Sequence, residues 1–208
     1  MRFLVADDHA IVRKGLIQLL REEFPAVQVT GVSNSTAALE EVRKQPLDII
    51  LLDISMPGRN GIETLKQIRA EGFRTPVLML SMHPEEQYAI RALRAGASGF
   101  LNKEGATEEL LVAVHRLLGG RKYISSSVAE KLAGSLGDAS GKPEHELLSD
   151  REMQVLQRIA FGKTVSEIAN EISLSVNTIS TYRMRILEKL ALNNNAELTR
   201  YALDNGLV

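Results

Sequence analysis

The sequence predicts an α/β unit built on a doubly wound, five-stranded parallel sheet, followed by a flexible linker and an all-α unit of four helices. Three observations lead there. Up to about residue 120, five short apolar runs alternate with segments whose apolar residues recur every three or four positions. Between 133 and 146, AGSLGDASGKPEHE holds four Gly or Pro residues among small polar ones. From Leu148 onward every segment carries helical periodicity. The boundaries follow as 1–120, a linker over 121–146, and 147–208.

The apolar runs are RFLVA (2–6), VQVTGV (27–32), LDIILLD (47–53), PVLMLS (76–81) and SGFLN (98–102). Helical spacing between them is carried by Ile11, Leu16, Leu19 and Leu20, by Ile62, Leu65 and Ile68, and by Ile90 and Leu93. Strands alternating with helices give a parallel sheet covered on both faces. A strand buried on both faces reads as an unbroken apolar run, as IILLD does. In the flavodoxin-like order 2-1-3-4-5 the ligand crevice lies at the carboxyl ends of the strands. The linker composition gives a mean span of about 20 Å, and SSSVAEKLAG before it admits a short helix. In the last block, Ser149-x-x-Glu152 forms a capping box that opens a helix running to Gly162. TVSEIANEIS, SVNTISTYRMRILEKLAL and AELTRYALDNG supply the other three helices.

Composition excludes several function classes. A chain of 208 residues with 44% hydrophobic residues can bury real cores, and its net charge of −1 gives no global attraction to nucleic acid. With no Cys, disulfides and thiolate metal sites are excluded. Asp7 and Asp8 interrupt the N-terminal apolar run too early for a signal peptide. No apolar run approaches the ~20 residues of a spanning helix. The expectation is a soluble cytoplasmic protein.

The strand ends carry the chemistry. The first run ends in Asp7-Asp8, the third in Asp53, the fourth in Ser81, and Lys103 follows the fifth. In the order above these groups converge. Carboxylates so close repel one another, and a hard cation such as Mg²⁺ relieves the repulsion. One carboxylate can then attack a phosphoryl group, with the ammonium and hydroxyl holding its other oxygens. In-line reaction at Asp53 would give an aspartyl phosphate. Taken singly, each acid reads as a helix cap or loop residue; the five together favour a site. His9 reads as the residue opening the first helix, and His83, His115 and His145 are too scattered for a histidine metal cluster.

ADDHAIVRKGL, LLDISMPGRNG, LMLS and GFLNKE resemble the receiver domain of bacterial two-component response regulators, over about residues 1–120. The resemblance implies Asp53 as phosphoacceptor and Asp7, Asp8, Asp53 and the Ser55 backbone carbonyl as Mg²⁺ ligands. It makes Lys103 the phosphoryl contact, Ser81 the switch hydroxyl and Phe100 the switch aromatic. Many receivers carry Tyr at that last position, so here ring packing alone would report the switch. Phosphorylation would draw Ser81 toward the phosphoryl group and let Phe100 turn inward, altering the surface of the fourth helix and fifth strand. Ser55 and His83 stand two residues beyond Asp53 and Ser81, where they either flank an attacking water or serve as plain loop residues.

In the second block, Ser173-Leu174-Ser175 joins two helices in a helix-turn-helix layout. Ile179, Ile186, Leu187 and Leu190 fall on one side of the later helix; Asn177, Ser180, Thr181, Met184 and Glu188 fall on the other. Arg183 and Arg185 flank that polar side and Lys189 follows. From Ser149 on there are seven basic and seven acidic residues, so charge does not reject an ordinary four-helix packing unit. LSDREMQVL, the Gly162-Lys163 turn, EIA and ILEKL resemble the LuxR-type output domain over about 147–208, and the whole chain is similar to the NarL/FixJ branch. Thr178-Ile179-Ser180-Thr181-Tyr182 replaces the usual Thr-Val-Lys-x-His, and Met184 stands where some members place Lys. Sequence preference is therefore expected to differ from that of Lys-bearing relatives. The resemblance implies a sensor histidine kinase as donor, promoter duplex as target and a homodimer on phosphorylation, with RNA polymerase as a further partner. Leu198, Ala202 and Leu203 of the last helix are the expected dimer surface. Two rivals stay open: a haloacid-dehalogenase-type phosphohydrolase, which wants an acid where Ser55 stands, and an interaction module that never touches DNA.

Overall fold

The computed structural model describes residues 1–82, 85–103, 107–125, 128–130 and 144–208. Two compact units divide the chain, Met1–Gly137 and Asp138–Val208.

The first unit runs β1 (Arg2–Ala6), α1 (Ala10–Glu23), β2 (Gln28–Val32), α2 (Ser35–Lys44), β3 (Ile49–Asp53), α3 (Gly61–Ala70), β4 (Val77–Ser81), α4 (Glu85–Arg94), β5 (Gly99–Asn102) and α5 (Thr107–Leu118). The five strands are parallel, in the order β2-β1-β3-β4-β5. Each strand falls inside its expected apolar run. Successive side chains of β3 point to opposite faces. Ile50 and Leu52 enter one core with Leu39, Leu65 and Ala89 of α2, α3 and α4, while Ile49 and Leu51 enter the other with Leu20, Phe24, Val114 and Leu117 on the α1 and α5 side. Burial on both faces explains the lack of polar alternation in IILL, and each such side chain contributes about 1.5–3 kcal/mol.

Beyond Asp53 the chain leaves the sheet through a turn in which Gly58 takes φ +74°, a left-handed conformation suited to glycine. Asn60 then caps α3 reciprocally with Glu63, at 2.8 Å and 3.3 Å. Asn60-x-x-Glu63 was a legible start signal that the periodic spacing of Ile62, Leu65 and Ile68 overshadowed.

Two expectations need correction here. Ile11 is 87% exposed. It lies nine residues from buried Leu20, about two and a half helical turns, so it faces the opposite side of α1. The segment after α5 is also not all linker. Tyr123 pairs with Ser98 and Phe100 through backbone hydrogen bonds of 3.0 and 3.3 Å, and Val128 is buried in the sheet's core. Residues 126, 127 and 131–143 of the expected linker lie outside the described residues, as does His83.

The second unit holds a 3₁₀ turn (Glu144–Leu147) and helices α6 (Asp150–Ala160), α7 (Val165–Glu171), α8 (Val176–Lys189) and α9 (Asn195–Asp204). Ser149, Thr164, Ser175 and Asn194 cap the four helices, each accepting a hydrogen bond from a backbone N–H of the first turn. Leu156, Ile168, Ile179, Ile186, Leu198 and Ala202 form the core. Leu198 and Ala202 are therefore interior, and Leu203, 61% exposed, is what remains of the expected dimer surface.

Candidate acidic site and exposed helix face

β1 and β3 are paired with Ala6 opposite Leu52, so their ends deliver Asp7 and Asp53 side by side. Both are fully buried. The backbone N–H of Lys103 donates to the Ser81 carbonyl at 2.8 Å, which fastens the end of β5 to β4. The Lys103 side chain, 5% exposed, sets its Nζ 2.7 Å from Asp7 Oδ2 and 2.9 Å from Asp53 Oδ2. At these distances the ammonium offsets part of the charge of both carboxylates. Asp7 Oδ1 accepts from the His9 N–H at 2.9 Å, and Asp53 Oδ1 from the Ser55 N–H at 3.3 Å.

Burial pushes the Asp53 carboxyl up from 3.8 to about 6; the Lys103 charge opposes the rise and the Asp7 charge adds to it. Asp7, Asp8, His9 and Asp53 each offer a ligand atom within 4.8 Å of the others. One ammonium faces Asp7 Oδ2 and Asp53 Oδ2 together, and His9 Nδ1 faces Asp8 Oδ1. Three carboxylates then have a single buried ammonium among them, which leaves an excess of negative charge, and a set of hard oxygens suits a small divalent cation. The cluster can therefore hold a metal.

The structure brings Asp7, Asp8, Asp53 and Lys103 together as the strand ends predict, with Ser55 beside Asp53. It adds two residues. His9 occupies the N-cap of α1 without a side-chain cap bond and turns its Nδ1 to within 2.9 Å of Asp8 Oδ1. Arg13, one turn later, donates to the Asp7 carbonyl at 2.5 Å. Their i, i+4 spacing in HAIVR was the available signal.

Ser81 is buried at the end of β4. Phe100 is 1% exposed and already sits in the core with Met79, Tyr88, Ala89 and Ala92. The structure therefore shows this ring in its inward position. Phe100 stands opposite Met79 in the register, and the alanines of α4 leave it room.

In the second unit Ile179 and Ile186 bury one side of α8, and Asn177, Ser180, Thr181, Met184, Arg185 and Glu188 are exposed on the other. Thr178 is half-buried and its hydroxyl lies 2.7 Å from Ser175 Oγ in the cap. Arg183 donates to Asn195 at 2.5 Å. Lys189 departs from its expected place at a duplex: its Nζ donates to the carbonyl of Leu147 at 3.3 Å and to Glu152 at 2.7 Å. Glu152 is a buried carboxylate, which draws the ammonium inward. Burial tends to raise the Glu152 carboxyl, but hydrogen bonds from Lys189 and Ser149 outweigh it and hold the group below its ordinary value. A depressed carboxyl contributes stability above its unfolded pKa and loses it as pH falls through the folded one. Lys189→Ala is expected to shift acid loosening of this unit to higher pH, read as faster amide exchange along α6.

Two family models match the chain: the response regulator receiver domain over residues 3–115 and the bacterial regulatory proteins of the luxR family over residues 146–202. The chain is 33% identical to the response regulator UvrY of Escherichia coli K12 over 206 residues, 98% of this chain and 94% of UvrY. It is 32% identical to the response regulator GacA of Pseudomonas viridiflava, covering 100% of this chain and 98% of GacA. Among solved structures it is similar to RcsB of Salmonella enterica serovar Typhimurium bound to promoter rprA with phosphomimetic BeF₃⁻. That match has a TM-score of 0.65 and 29% identity, and covers 97% of this chain and 98% of RcsB.

Proposed function

The chain belongs to the response regulators of the NarL/FixJ type, a receiver domain followed by a LuxR-type DNA-binding domain, and from that premise we propose that Asp53 takes a phosphoryl group from a sensor histidine kinase and so promotes paired binding to promoter DNA. The observation that carries this reading is a fully buried carboxylate at the end of β3 that shares one ammonium with a second buried carboxylate.

In the proposed reaction an Asp53 oxygen attacks phosphorus as the donor's bond to phosphorus breaks and the donor imidazole leaves. Lys103, already 2.9 Å from Asp53 Oδ2, moves with the product to hold a phosphoryl oxygen. The Ser55 N–H steadies the other Asp53 oxygen, and Ser81 supplies the hydroxyl at the end of β4. Asp7, Asp8, Asp53 and the Ser55 carbonyl would hold Mg²⁺, which when bound neutralises charge on the phosphoryl oxygens. The buried Phe100 ties β5 to α4, so displacement there would reach the α4–β5 surface.

Asn177, Ser180, Thr181, Met184 and Arg185 are the proposed duplex contacts, with Arg183 beside them. A single helix of such contacts binds weakly, and two-fold pairing on half-sites is the remedy. RcsB has been captured on promoter DNA, and as dimers on two DNAs; the similarity supports the same use here. Ser55 stands where a phosphohydrolase of the rival type needs an acid, so self-phosphorylation rather than turnover is the proposed chemistry. No described helix is long and apolar enough to cross a membrane, which agrees with a cytoplasmic regulator. The test is intact-mass measurement after incubation with Mg²⁺ and an acyl phosphate. One phosphoryl adduct mapping to Asp53 is expected; an unmodified chain, or label at another residue, overturns the reading.

A further inference from the structure

The exposed face of α8 is poor in free cations. Within 144–208 the basic side chains Arg151, Arg158, Lys163, Arg183, Lys189 and Arg200 all have partners inside the protein, and Arg185 has none among the described residues. Apolar groups stand there instead. Met184 is 62% exposed. Thr181 donates its hydroxyl back to the Asn177 carbonyl at 2.9 Å, so its γ-methyl is the group left for a partner. Spaced four and seven residues from Asn177, these side chains share one face of the helix.

We infer that Met184 and the Thr181 methyl read thymine through its C5-methyl group in the major groove. The inference rests on the DNA-binding reading above and refines it. The C5-methyl is the one apolar feature a base pair presents in that groove, so it is the feature an unbranched thioether and a methyl can select. Asn177, whose amide has no partner among the described residues, adds the two-point contact suited to adenine. The preferred half-site then carries A·T pairs under the middle of α8. Cations contribute mainly through Arg185 to phosphate, which carries no base identity.

The experiment uses the full chain with Mg²⁺ and beryllium fluoride. Duplexes are first selected from a random pool. Each thymine of the selected half-site is then replaced in turn by deoxyuridine, which keeps every hydrogen bond and lacks only the methyl. One or two positions are expected to bind about fourfold more weakly per methyl removed. Met184→Ala and Thr181→Ser, both at exposed positions, should each abolish discrimination at one of them. Thr181→Ser retains the hydroxyl bond and deletes only the methyl. Arg185→Ala should weaken thymine and deoxyuridine duplexes alike. If no duplex is retained at any salt, the DNA-binding reading fails and this inference with it. If duplexes bind but ignore the methyl everywhere, or if discrimination persists unchanged in both variants, the inference alone is overturned.

Discussion

Asp53→Asn takes up no phosphoryl group and, in chelator at neutral pH, unfolds at a higher temperature than the wild-type chain. The first effect follows because an amide is no nucleophile toward phosphorus, while Asn keeps the shape of the side chain at a fully buried position. The second follows from electrostatics. The Asp53 carboxyl is raised from 3.8 to about 6 by burial. Below the unfolded value it is neutral in both states and contributes nothing. As pH rises, the unfolded chain ionises it more readily than the folded one, so the native state loses stability until the folded value is passed. At ~1.4 kcal/mol per pKa unit the ceiling on that loss is about 3 kcal/mol. The attraction of Lys103 is already contained in that net rise, so the gain expected of the variant is at most about 3 kcal/mol. Thermal melts in chelator should show the advantage at neutral pH and its disappearance near pH ~4. Added Mg²⁺ should close the gap by stabilising the wild type more. A variant no more stable than wild type at neutral pH would mean that burial does not dominate at Asp53.

The residues that end strands were legible because a parallel sheet puts chemistry in one place. RFLVADD, IILLD and VLMLS each run apolar and stop at a polar group, and the strand order makes those stops neighbours. Capping was legible for the same local reason: Ser149-x-x-Glu152 needs no tertiary information. What periodicity could not decide was phase. Ile11 belongs to an apolar series on α1 but lies opposite Leu20, and Leu198 and Ala202 belong to a series on α9 whose buried side is the unit's own core. The partners of long charged side chains were equally out of reach. Lys189 follows two arginines that flank the polar side of an amphipathic helix, yet a buried carboxylate thirty-seven residues earlier in the chain draws it away. The sequence places His9 at the start of α1, but its lack of a cap bond, which leaves it facing Asp8, is visible only in three dimensions.

Gly61→Ala is expected to be the most damaging single methyl that could be added to the first unit, and it separates two reasons for glycine in one loop. A Cβ at Gly61 would lie 2.1 Å from the Asp53 carbonyl oxygen, 2.8 Å from its carbon and 2.9 Å from the Ile54 Cα. All three are backbone atoms, so no side-chain rotation relieves the clash. Nor can the helix start move freely. The Gly61 N–H donates to the Ile54 carbonyl at 2.9 Å, and the Asn60–Glu63 box fixes the first turn of α3. The added methyl must push α3 off the end of β3, at a cost of about 3 kcal/mol, or roughly 10 °C in Tm. The same displacement moves the Asp53 carboxylate relative to Lys103, so phosphoryl uptake should slow as well. Gly58→Ala is the contrast. Its φ of +74° disfavours a side chain, but open space surrounds the site. The expected cost is about 1 kcal/mol, from backbone conformation alone, with uptake little changed. Paired melts and uptake rates of the two variants decide the matter: equal losses would reduce both glycines to turn residues, whereas a larger loss at Gly61 in both measurements ties the close approach of α3 to the positioning of Asp53.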